Sequence, residues 1–143
     1  MEAHYYNVNL NWIKDRKGEI SSPELQNKIE VATPPQFPKG IEGIWSPEHL
    51  LTASVSSCFM TTFLSIAENS RLEFTSFNCS AKGKLDQIDG KFLMTEIILE
   101  PVLVIVKEED KEKAERILQK SEAACLISNS IKSKVSLITT IKF

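Results

Sequence analysis

Cysteine and histidine are scarce: three and two among 143 residues. With two histidines and no CxxC pair, a zinc site would have to mix cysteine with carboxylates at no recognised spacing, so no metal is expected. A glycine-rich phosphate loop is missing as well. Charge of one sign is missing too. Seventeen Lys and Arg face nineteen Asp and Glu, for a net charge of -2, which leaves no electrostatic footprint for nucleic acid. No window approaches 18 apolar residues without a polar interruption, so no membrane span or membrane partner is expected. The opening "MEAHYYNVNLNW" lacks the basic and apolar regions of a secretory signal, and the expected location is the cytoplasm. In that compartment three cysteines point to reduced thiols or redox chemistry rather than to a disulfide framework. What remains is ordinary for a globular protein, with 42% hydrophobic and 25% charged residues. The length suits one domain, 1-143, with a real core.

The pattern along the chain divides it further. "HYYNVNLNW" alternates, with His4, Tyr6, Val8, Leu10 and Trp12 on one face, as a strand does. "KDRKGEI" is a turn in which Gly18 can take positive φ, a second strand starts near Ile20, and "LQNKIEVA" is a third. "TPPQFPKGIEG" carries three prolines and two glycines and is a loop. Ser46, Pro47 and Glu48 then fit the N-cap, first position and first turn of a helix. That helix is apolar on nearly every side, which predicts burial all round and a partner subunit over its second face. Arg71–Leu85 returns to strand period, and "DQIDGK" is an Asp-Gly hairpin turn. "FLMTEIILEPVLVIV" is the returning strand, in which Pro101 marks a bulge or an edge. "KEEDKEKAERILQKSEAAC" is an amphipathic helix with Ala114, Ile117, Leu118, Ser121 and Cys125 on one stripe. A last strand alternates through Val135, Leu137, Thr139, Ile141 and Phe143. The order β-β-β-α-β-β-α-β is that of an α+β domain.

Cys58, inside the first helix, admits three readings. It is a small apolar residue in a packed helix. Or it is a nucleophile paired with His49, which helix geometry opposes, because nine residues put His49 about 13 Å away and on the far side. Or it is a redox thiol with Cys125 as its resolving partner. A thiol in an apolar helix has its pKa raised, so a thiolate there needs a nearby cation. Arginine suits that task, since it stays charged and can fork to a carboxylate. Of Arg16, Arg71 and Arg116, Arg71 leaves the central helix, Arg116 lies on a charged helix face, and Arg16 sits in a hairpin turn from which it can reach a neighbour. Cys79 is in phase with Phe77 and Ala81 and is read as buried and structural. Trp45 is a hydrophobic staple or a pocket wall.

"SPEHLLTASVSSCF" resembles the hallmark of the OsmC/Ohr family of organic hydroperoxide peroxidases, in which Pro-Glu-x-Leu precedes small residues and a reactive cysteine. "ACLISNSIKSKV" is similar to the segment around the family's second cysteine, and "DRKG" to the turn carrying its arginine. Leu126 stands where many relatives have proline, Ser56 and Ser57 replace alanines, and no stretch closely matches the Gly-Gly-Arg turn of the Ohr branch. The resemblance covers essentially the whole chain. It implies an intertwined homodimer with central buried helices on antiparallel sheets and active sites at the subunit interface. It also implies reduction of organic hydroperoxides through a Cys58 sulfenic acid and a Cys58–Cys125 disulfide. An external dithiol then serves as reductant, and no cofactor is required. By position, Glu48 is the carboxylate that orients the arginine, and Arg16 is that arginine. In one unbroken helix Glu48 lies about 15 Å along the axis from Cys58. Either the helix breaks between Ala53 and Ser57, or Glu48 works at the partner's site; the second is preferred. Two other functions stay open: a dimer of this fold that binds a small hydrophobic ligand, and a structural dimer whose cysteines are core.

Overall fold

The computed structural model describes all 143 residues. They form two compact units, Met1–Leu50 and Leu51–Phe143, and the long helix crosses the boundary.

The first unit is an antiparallel sheet of β1 (Asn9–Lys14), β2 (Lys17–Ser21) and β3 (Ile29–Ala32), in that order. The first strand is shorter than its alternation suggests, because the strand pairing begins only at Asn9. The turn between β1 and β2 is Asp15–Arg16, with Lys14 opposite Lys17 and the left-handed residue being Asp15 (φ 50°) rather than Gly18. Gly18 lies inside β2, and a Cβ there would come within 2.9 Å of the Asn11 carbonyl oxygen, so glycine serves close strand approach instead. The proline-rich segment after β3 is irregular, as expected, and ends where Ala32 N–H donates to the Trp45 carbonyl at 2.8 Å.

Helix α1 runs without interruption from Pro47 to Asn69. Ser46 caps it, its Oγ accepting from the His49 N–H at 3.1 Å. Ser56 and Ser57 donate back to the Ala53 carbonyl without breaking the helix, so the branch in which the helix parts before Cys58 does not hold. Length and mean hydropathy (1.6) would let α1 cross a bilayer, contrary to the expectation from apolar runs, and core helices meet the same two conditions. Within the chain its fully buried stripe is narrow: Val55, Phe59, Phe63 and Ala67, every fourth residue. Met60 and Leu64 on the other side are about two-fifths exposed, at 39% and 42%, so the chain by itself does not bury the helix all round.

The second unit holds a mixed sheet. β4 (Phe74–Ile88) and β5 (Lys91–Ile105) form a long antiparallel hairpin, closed by Asp89 and Gly90 at φ 50° and 77°, the conformation an Asp-Gly turn supplies. The predicted last strand is two strands, β6 (Lys134–Leu137) and β7 (Thr140–Lys142), both parallel to β5. This division explains Pro101, which is fully buried in a central strand with unbroken register to Cys79 and is neither at a bulge nor at an edge. β6 pairs with Glu96–Leu99 and β7 with Val102–Val104. Pro101 falls in the gap between them, where a missing N–H leaves no ladder bond unmade. The odd-numbered residues Ile97 to Ile105 face a single core made with α1 and with α2 (Lys111–Ala124), which contributes Ala114, Ile117 and Leu118. At its centre Phe63 stacks on Phe77 (4.7 Å, 24°) and meets Phe74 edge-on (5.3 Å, 68°).

Candidate active site

Two of the three thiols come together. Helix α2 ends at Cys125, which leaves helical conformation (φ -63°, ψ 114°) and is fully buried at the foot of the stripe formed by Ala114, Ile117, Leu118 and Ser121. The chain then makes a tight turn. Asn129 N–H donates to the Cys125 carbonyl (3.1 Å), Asn129 Nδ2 to the Ala123 carbonyl (3.1 Å), and Ser130 Oγ to the Leu126 carbonyl (2.7 Å). Carbonyls at the end of α2 are thereby satisfied. The amides of Leu126 and Ile127 are presented to Cys58, and the Ser128 N–H lies 3.5 Å from the Cys125 sulfur.

The two sulfurs are in different electrostatic states. Burial pushes the Cys58 thiol up. The Ile127 amide, the Cys125 thiol, the Thr62 hydroxyl one turn along α1 (4.0 Å) and the Leu126 amide outweigh it, and the net pKa lies below the ordinary thiol value. Burial pushes Cys125 up, the Ser128 donors oppose this, and the neighbouring Cys58 adds to the rise. A proton on Cys125 shared with a Cys58 thiolate accounts for both directions. Within the chain, two backbone amides, a thiol and a hydroxyl therefore lower the Cys58 pKa, where sequence reasoning calls for a cation. Cys58 is also partly accessible where Cys125 is not. Cys79, half-buried at the core margin opposite Pro101 rather than fully buried as expected, is pushed up by burial, which outweighs a backbone hydrogen bond from Glu100.

The other residues singled out in the sequence stand as follows. His49 is held at the start of α1, with Nδ1 2.6 Å from the Ser46 hydroxyl and its ring edge-on to Trp45. Nine residues of continuous helix separate it from Cys58, which removes the Cys–His pair. Trp45 walls a cavity of about 480 Å³ with Gln36, Glu42 and His49. Arg16, at the tip of the β1–β2 turn, borders a cavity of about 560 Å³ with Asp15, Lys39 and Ile41. Glu48 occupies the first turn of α1, ten residues of unbroken helix before Cys58. Arg71 leaves α1 in a left-handed conformation, and Arg116 is exposed on α2. Thr62 and Ser128 were missed in the sequence. Spacing of four from Cys58 could have found Thr62, whereas Ser128 reaches the site only through the turn.

The family model for OsmC-like proteins matches residues 40–140. Among curated proteins, the uncharacterized protein YmaD of Bacillus subtilis is 27% identical over 142 residues, 96% of this chain and 93% of that one. Peroxiredoxin OsmC of Escherichia coli is 29% identical over 126 residues, 87% of this chain and 86% of its own. An OsmC-like protein of unknown function from Vibrio cholerae shares the fold with a TM-score of 0.86 at 23% identity, over 96% of this chain and 99% of that one. The organic hydroperoxide resistance protein OhrB of Bacillus subtilis does so at 0.68 and 20% identity, over 97% and 98%. With its mixed sheet, its two helices and a match over most of its length, the chain belongs to the family of OsmC-like proteins.

Proposed function

We propose that the protein is a thiol peroxidase that reduces organic hydroperoxides with Cys58 and Cys125 and is regenerated by an external dithiol, without a cofactor. The observation that carries this reading is the pair of adjacent thiols in opposite states: Cys58 accessible and favoured as thiolate, Cys125 buried and favoured as thiol. The curated relative named as a peroxiredoxin points the same way.

The Cys58 thiolate attacks the distal oxygen of ROOH, the O–O bond breaks, and the alkoxide takes a proton to leave as ROH. The Cys58 sulfenic acid condenses with the Cys125 thiol, forming the disulfide and releasing water before further oxidation traps the sulfur. A dithiol restores both thiols by exchange. Arg16 enters as the cation of the site and Glu48 as the carboxylate that orients it. Since Glu48 lies about 15 Å along α1 from its own Cys58, it serves the site of a second copy in a homodimer. Uncovered apolar side chains support that assembly: Leu10 and Trp12 on β1, at 68% and 75% exposure, and Met60 and Leu64 on α1. The apolar side chains of α1, Leu50, Phe59 and Met60 among them, favour hydroperoxides with organic tails over hydrogen peroxide. The proposed place of action is the cytoplasm.

Titration with cumene hydroperoxide and intact-mass spectrometry test the scheme. The wild type loses two hydrogens through a Cys58–Cys125 disulfide, and Cys125→Ser instead traps a dimedone-reactive sulfenic acid at Cys58. A Cys58 no more reactive than free cysteine would end the peroxidase reading and favour a ligand-binding dimer, and equal rates with hydrogen peroxide would remove the preference for organic tails.

A further inference from the structure

Ser128 is mismatched to the thiol that it faces. Its hydroxyl is buried and has no partner of ordinary hydrogen-bond geometry. Its neighbours in the turn are committed elsewhere, Asn129 to the Ala123 carbonyl and Ser130 to the Leu126 carbonyl. Ser128 instead brings its N–H to 3.5 Å from the Cys125 sulfur and sets its hydroxyl where it favours the thiolate of that residue. A neutral thiol is a weak acceptor, so the resting state leaves these donors poorly used. A thiolate is an anion in a dry place and would engage both.

We infer that Ser128 is a further catalytic residue, which holds the Cys125 sulfur as a thiolate when a dithiol breaks the Cys58–Cys125 disulfide. This rests on the reading of the two cysteines as a redox couple. The geometry fixes the direction of the exchange. The Cys125 sulfur is fully buried and Cys58 is partly exposed, so the reductant thiolate meets Cys58. A bond forms between the reductant sulfur and Cys58, the Cys58–Cys125 bond breaks, and its electron pair leaves on Cys125. Burial makes that sulfur a poor leaving group. The Ser128 hydroxyl and amide offset this at the moment the charge appears. The second thiol of the reductant then displaces Cys58, so that the reductant ends as a disulfide and its two protons pass to the protein sulfurs or to solvent.

The test uses the full chain oxidised with diamide, so that disulfide formation does not depend on peroxide. Reduction by dithiothreitol is followed by stopped flow between pH 6 and 9. Ser128→Ala slows it about tenfold, the scale of one hydrogen bond to a charged group, and Ser128→Thr recovers most of the rate. The loss in reduction exceeds any loss in oxidation of Cys58 by cumene hydroperoxide. The melting temperature of reduced Ser128→Ala does not fall, because the hydroxyl removed had no partner. Equal reduction rates for wild type and Ser128→Ala would overturn the inference. So would equal losses in both half-reactions, with a lower melting temperature, since general damage would then explain them. If the wild type ignores hydroperoxide while Ser128→Ala still slows reduction of the diamide-made disulfide, the peroxidase reading fails and the role of Ser128 stands.

Discussion

Leu126→Pro removes one hydrogen-bond donor from Cys58 and little else. The side chain of Leu126 is 66% exposed, so its loss costs little packing. The residue before it, Cys125, already has ψ 114°, close to the extended conformation that a following proline demands. What disappears is the amide that helps to lower the Cys58 pKa. A hydrogen bond to a charged acceptor contributes about 1.5–3 kcal/mol. The Leu126 amide is the smallest contributor and the sulfur is partly open to water, so about 1.4 kcal/mol is the fitting figure, a tenfold change in thiolate population. The sign follows from the direction of the shift. Well below the pKa of Cys58, the variant carries about tenfold less thiolate, but each thiolate is more basic and about threefold more nucleophilic, given a Brønsted slope of about 0.4–0.5. The net result at low pH is alkylation about threefold slower than wild type. Above both pKa values every molecule is ionised, only the gain in nucleophilicity remains, and the variant is about threefold faster. The assay is iodoacetamide labelling of Cys58, read by peptide mass spectrometry from pH 5 to 10, with Leu126→Ala, which keeps the amide, as control. The rate–pH curves of wild type and Leu126→Pro cross; those of wild type and Leu126→Ala do not. Parallel curves for Leu126→Pro, slower or equal at every pH, would refute the view that the turn's amides set the thiolate.

Two further predictions concern the frame that holds the site. Phe63→Ala, which empties the centre of an aromatic cluster with Phe74 and Phe77, lowers unfolding free energy in urea by about 3–5 kcal/mol; a loss under about 1 kcal/mol would mean that this cluster is not the core. Gly83→Ala drives a methyl group into the Thr52 hydroxyl, where α1 crosses β4, and toward the Met94 methyl at 2.8 Å, and destabilises by about 1–3 kcal/mol. Adding Thr52→Ala relieves part of that cost, and strict additivity in the double-mutant cycle would count against the contact.

Local rules carried much of this protein into view. The Ser46 cap, the start of α1, the Asp-Gly turn at Asp89–Gly90 and the apolar stripe of α2 are settled by neighbours within a turn or two, which a sequence displays directly. The resemblance of the Cys58 and Cys125 segments placed the chain in its family. Boundaries that depend on distant partners were less legible. The single alternating run from Val135 to Phe143 divides into β6 and β7 because β5 offers two separate stretches to pair with, and Pro101 is tolerated for the same reason. Gly18 looked like a turn residue and is instead demanded by the backbone of the adjacent strand.

The candidate site divides along the same line. By itself the sequence determined that Cys58 sits in a helix, ten residues from Glu48 and nine from His49, because helix periodicity is a local property; that the helix does not break before Cys58 was decided by the structure. Only the tertiary structure decided what lowers the Cys58 pKa. Its largest single donor is a main-chain amide, that of Ile127, in a turn nearly seventy residues downstream, and every residue but proline carries such an amide. A sequence lists side chains; where backbone dipoles converge is set by how the chain folds over itself.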